Sequence, residues 1–149
     1  MAKKKMLVVE DGTEYEEFAK TFLGDRYDVI AARSAAEAVQ VLRAEPCDVM
    51  LVDLRFERAP QDVLVGDVEL TARRLFGGDR SRALRWIKDQ QGTLVLAEIR
   101  KAGFAQRAVF VHDFPAGRLD NLAKLYGDVH AVASFDAAAI GALFDEAAS

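Results

Sequence analysis

The chain has 149 residues, half of them hydrophobic and 30% charged, with a net charge of −4. This is ordinary composition for one globular domain with a real core, spanning residues 1–149, and it excludes a disordered chain. The negative balance gives nucleic acid no attraction to the surface as a whole, and no apolar run is long enough to cross a membrane. One cysteine, Cys47, rules out an internal disulfide and fits a reducing compartment as a small core residue. The start, MAKKKMLVVED, carries a basic cluster but no apolar stretch of signal-peptide length. A cytoplasmic protein is expected.

Lys5 to Val9 is apolar and β-branched, the pattern of a strand buried on both faces. Thr13 and Glu16 have capping-box spacing, and a helix follows to about Leu23, with Phe18, Phe22 and Leu23 inward and Gly24 as its stop. YDVIAA, 27–32, is a second strand. Ser34 with Glu37 repeats the capping box and opens a helix with Ala38, Val41 and Leu42 inward. CDVMLVD, 47–53, is the third strand and stops on Asp53.

After a long interruption the alternation resumes. TLVLAEIRKAG, 93–103, is a helix; AVFVH, 108–112, a strand; AGRLDNLAKLYG, 116–127, a helix. VHAVA, 129–133, is a weak strand, and 136–147 is a last helix with Asp136 as its cap. Strands alternating with helices predict an α/β fold: a doubly wound five-stranded parallel sheet with helices on both faces.

Residues 54–91 form an inserted segment after the third strand. It is too apolar for disorder: DVLVGDVEL is strand-like, and DRSRALRWIKDQ is helix-like with Leu84 and Ile87 on one face. Its arginines are balanced by acids as on a solvated face, or they make it a partner-binding arm or a lid. Phe76 and Trp86 are its own small core or its anchor onto the domain.

In such a sheet the first and third strands are commonly neighbours, and sites form beyond their carboxyl ends. Glu10, Asp11 and Asp53 then converge on one crevice. Close carboxylates raise one another's pKa, and a divalent cation relieves the repulsion. An all-oxygen donor set suits Mg²⁺ or Mn²⁺, and Asp53 could then attack a phosphoryl group. Arg55, or an arginine of the insert, is the alternative counter-charge. A lone strand histidine is simplest as a structural residue. That reading covers His130, and it covers His112 with metal ligation as its alternative.

LVVEDG followed by CDVMLVD resembles the receiver domain of two-component response regulators, the CheY-like fold within the flavodoxin-like group. The resemblance covers residues 5–53 and 92–147. It implies that Glu10 and Asp11 hold Mg²⁺, that Asp53 is the phospho-acceptor, and that the backbone carbonyl of Arg55 completes the metal shell. It also exposes departures. His112 falls where the family has a Thr or Ser, Ser134 where it has a Lys, and Ala131 where its switch aromatic sits. The proline that often follows the acceptor is missing from DLRFER. The implied protein is an atypical, or pseudo-, receiver whose phosphorylation readout is impaired.

With nothing beyond Ser149 to serve as output, it would act by contact. The expected partners are a sensor kinase or a downstream regulator, and a homodimer could form through the last helix-strand-helix face. The alternative function is a phosphatase-like enzyme using Asp53 as nucleophile. That chemistry wants a general acid two residues on, where Arg55 stands.

Overall fold

The computed structural model describes residues 3–148. Five strands form a wholly parallel sheet in the order β2-β1-β3-β4-β5. They are β1 (Lys4–Val9), β2 (Tyr27–Ala32), β3 (Val49–Val52), β4 (Arg107–Val111) and β5 (Val129–Val132). The helices are α1 (Glu14–Leu23), α2 (Ala35–Ala44), α3 (Val68–Leu75), α4 (Arg80–Asp89), α5 (Gln91–Lys101), α6 (Ala116–Tyr126) and α7 (Ala137–Ala148). The doubly wound α/β architecture expected from the sequence is what forms. Among the described residues no helix is long and apolar enough to cross a membrane.

Period-two alternation splits the core into two layers. Leu7, Val9, Met50, Val52, Ala108 and Phe110 pack against Ala38 and Leu42 of α2, Leu96 and Ile99 of α5, and Leu122 of α6. On the opposite face Met6, Val8, Val49, Leu51 and Val109 meet Ala19 and Leu23 of α1 and Ile140 and Phe144 of α7. Ser34 and Asp136 cap their helices as expected: Ser34 Oγ accepts the Glu37 amide (3.1 Å) and Asp136 Oδ1 the Ala139 amide (3.1 Å).

Three local expectations are overturned. The Thr13–Glu16 capping box does not form, because the Thr13 hydroxyl turns to Glu17 and the Glu16 carboxylate pairs with Lys20 and Arg33. Phe22 points outward and is 60% exposed, touching only Phe18 of its own helix among aromatic rings. DVLVGDVEL is not a strand: a 3-10 turn (Gln61–Val63) leads into Gly66 at φ 128°, and Asp67 then caps α3 through the Leu70 amide. The positive φ and the Asx cap break any extended run.

The insert is therefore a helical hairpin in which α3 and α4 pack on each other and Ala72 and Ala83 are buried. Trp86 stays partly exposed and Phe76 lies under the Arg82 guanidinium. The hairpin's root is firm. The Phe56 amide donates to the Lys88 carbonyl (2.9 Å) and the Gly92 amide to the Leu54 carbonyl (2.8 Å). Gln91, 1% exposed, spends its whole side chain on backbone: Oε1 accepts the Val65 amide (2.7 Å), and Nε2 donates to the carbonyls of Val65 (3.0 Å) and Ile87 (3.3 Å).

At that root the start of α5 lies directly on the chain leaving β3. A Cβ on Gly92 would collide with the backbone of Asp53 and Leu54, which cannot swing aside. Gly92→Ala is expected to destabilise by about 2 kcal/mol, the usual cost of overpacking against fixed atoms. Gly117→Ala, facing open space in α6, is expected to be neutral or stabilising by up to ~1 kcal/mol. Urea unfolding of the two variants beside the wild type checks the contrast.

Candidate functional site

β1 and β3 pair in parallel with Val9 opposite Val52, and the Asp53 amide donates to the Val9 carbonyl (2.9 Å). The two chains therefore leave the sheet side by side at its carboxyl edge. Glu10 and Asp11 come from one, Asp53 from the other.

The three acids do not share one role. Glu10 is 1% exposed and turns under α1, where Oε1 accepts the Tyr15 amide (3.0 Å) and Oε2 the Glu16 amide (2.8 Å). It supplies the cap that Thr13 does not. A carboxylate at a helix N-terminus is well placed electrostatically. Burial still pushes its pKa up, against the pull of those two amides and of Arg33.

Asp11 and Asp53 line a common open hollow of about 360 Å³, together with Tyr15, Arg55, Arg58 and Phe135. The Asp53 carboxyl is pushed up to about 7, first by burial and then by the charges of Asp11 and Glu10. The Arg55 amide (3.3 Å) and the Tyr15 hydroxyl pull the other way without cancelling the rise.

Two members of this hollow are not singled out by the sequence, although an insert arginine is the alternative counter-charge for the acids. Tyr15, in the first turn of α1, directs its hydroxyl to Asp53 and toward the Val111 carbonyl (3.5 Å), and its ring meets Phe135 edge-on at 4.8 Å. Burial, then Asp53, holds that phenol strongly in its neutral form. A polar-tipped aromatic one helical turn past Asp11 was the available signal. The second is Arg58, from the insert. Its amide donates to Asp11 Oδ2 (2.6 Å), and its guanidinium forks onto Glu14, with Nη1 to Oε2 at 3.0 Å and Nη2 to Oε1 at 2.6 Å.

The remaining predicted residues stand elsewhere. His112 leaves β4 on the same edge, its amide bonded to the Val132 carbonyl (2.8 Å), but its ring packs edge-on to Phe114 at 4.7 Å. Burial and the nearby Arg55 and Arg118 favour its neutral form. Ser134 is exposed to solvent. Neither lines the hollow. His130 bonds Asp128 (2.7 Å) beside Arg107, the structural role expected of it. Among the described residues no three Asp, Glu, His or Cys side chains are grouped so as to hold a metal between them. Four carboxylates line the hollow, Asp11, Glu14, Asp53 and Glu57; Glu14 is taken by the Arg58 guanidinium, and Arg55 lies beside Asp53.

No protein-family model matches the chain, and no curated protein matches its sequence. Its three-dimensional form has many counterparts. A two-component response regulator from Clostridium difficile superposes with a TM-score of 0.65 at 12% identity, over 97% of this chain and 95% of that one. A CheY-like response regulator receiver domain protein from Methanospirillum hungatei gives 0.59 at 16%, over 98% and 97%. The receiver domain of Francisella response regulator 1452 gives 0.58 at 17%, over 97% and 98%. At such identities the likeness is one of fold, and the fold is that of response regulator receiver domains.

A carboxylate whose folded pKa lies above its unfolded value destabilises the fold once pH exceeds the unfolded value, and the cost is complete above the folded one. Asp53→Asn is therefore expected to stabilise the protein at pH 8 by about 2 kcal/mol, a figure discounted for the half-buried position. The gain should shrink as pH falls from 7 and vanish near pH 4. Thermal unfolding of both proteins across that range measures it.

Proposed function

We propose that this chain is an atypical receiver domain in signal transduction, with Asp53 as its phospho-acceptor and contact with other proteins as its output. The observation that carries this is the position of Asp53. On a receiver fold it ends β3, half-buried, in a hollow shared with the Asp11 carboxylate from the neighbouring strand.

The chemistry follows from that position. Asp53 must be ionised to act as a nucleophile, and its environment resists ionisation. A divalent cation is the natural remedy, and the residues present suit Mg²⁺, which accepts one or two carboxylates and fills its shell with water. Asp11, Asp53 and the Arg55 carbonyl would hold it. Glu10, with both oxygens committed to α1, supports the site by fixing the helix that begins beside it. The bound ion would supply charge neutralisation for the incoming phosphoryl oxygens. An Asp53 oxygen then attacks phosphorus of a partner kinase's phosphohistidine or of a small acyl phosphate. The bond from phosphorus to the donor breaks, its electron pair leaves with the donor, and an acyl phosphate remains on Asp53.

The readout is where the domain is atypical. With His112 packed on Phe114 and Ser134 in solvent, no hydroxyl from β4 and no ammonium from β5 reaches a group on Asp53. Tyr15 is the neutral donor that remains. Arg55 at the position of a phosphatase's general acid speaks against rapid hydrolysis by this chain. The expected partners are a sensor kinase and a downstream regulator in the cytoplasm. The face of α6, β5 and α7, where Leu125 is 70% exposed, is the proposed place for a second copy.

Incubation with acetyl phosphate and Mg²⁺, followed by intact-mass measurement, tests the reading. One added phosphoryl group is expected on the wild type and none on Asp53→Asn. A folded wild type whose mass does not change, or labelling that persists in Asp53→Asn, overturns it.

A further inference from the structure

The feature left over by the proposed function is the stretch of insert that crosses the acid hollow. Leu54 and Phe56 are buried and tied to the hairpin root, and Ala59 is buried again before the 3-10 turn. Between these anchors Glu57 and Arg58 rise over the hollow and line it. The backbone at Arg58 occupies one oxygen of Asp11, and the side chain grips both oxygens of Glu14 at the start of α1. Gly12 leaves room for this: a Cβ there would run into Arg58 Nη1 and Glu14 Oε2.

We propose that residues 57–58 are a strap that competes with a divalent cation for Asp11, so that cation binding and strap closure oppose one another. The inference rests on the reading of Asp11 and Asp53 as the cation's carboxylates. Asp11 Oδ2 receives the Arg58 amide at 2.6 Å, and an oxygen so engaged has less to offer an ion. The fork holding the strap shut joins two exposed side chains, 62% and 55% open to solvent. Such pairs are weak, so the closed strap is held lightly and an ion can open it. The strap is the first segment of the insert after Asp53.

The test is a Mg²⁺ calorimetric titration of the whole chain. Arg58→Lys keeps the positive charge but loses the two-pronged grip. It is expected to bind Mg²⁺ roughly two- to fivefold more tightly than the wild type, the span an exposed pair can contribute. Simple charge repulsion predicts no change in that variant. In the wild type, hydrogen exchange at the residue 58 amide, followed by NMR, is expected to quicken roughly threefold or more on adding Mg²⁺. Equal affinities, with unchanged exchange at residue 58, overturn the strap. Failure of the underlying reading looks different: neither protein binds Mg²⁺, or Asp11→Asn binds it as well as the wild type.

Discussion

The parallel pairing of β1 with β3 brings two carboxylates together that would stay apart in water, and the rest of this edge of the sheet responds to their repulsion. The register leaves no choice. With Val9 opposite Val52 and the Asp53 amide bonded to Val9, the residues that follow must emerge as neighbours. Four fully buried residues in each strand lock that register, because a slip by one would turn every side chain to the wrong layer. The core thus fixes the acid pair.

The molecule softens the repulsion in three ways, and none removes it. Glu10 is turned into α1, where helix amides absorb its charge. Tyr15 and the Arg55 amide donate to Asp53. Arg58 satisfies Asp11 from above while its guanidinium is spent on Glu14. Asp53 therefore remains an acid near its midpoint at neutral pH, and a cation entering the hollow would relieve the repulsion.

Much of this was legible in the chain. Fully buried parallel strands are near-continuous apolar runs, and MLVV and VMLV stand out at once. Their acidic ends were equally plain, as were the caps at Ser34 and Asp136, because a cap is a local contact. What was hidden depended on distance or on competition between neighbours. Thr13 and Glu16 have the right spacing for a cap, yet Glu10 reaches the same amides with a charge and wins. Arg58 meets Asp11 from 47 positions away, which no local pattern encodes. The DVLVGDVEL stretch misled because a short apolar run carries no period, and only Gly66 and Asp67 betray the turn into α3. His112 and Ser134 were placed by counting along strands, and the structure sets both outside the hollow.

The repulsion between paired strand-end carboxylates can be measured directly. Carbon-13 labelling of aspartate, followed through a pH titration by NMR, reports the midpoint of Asp53 in the metal-free protein. A midpoint near 7 is expected, falling when Asp11→Asn removes the neighbouring charge. A midpoint near the ordinary value of about 4, unmoved by Asp11→Asn, would contradict the shared acidic hollow and with it the reading of this edge as a receiver's site.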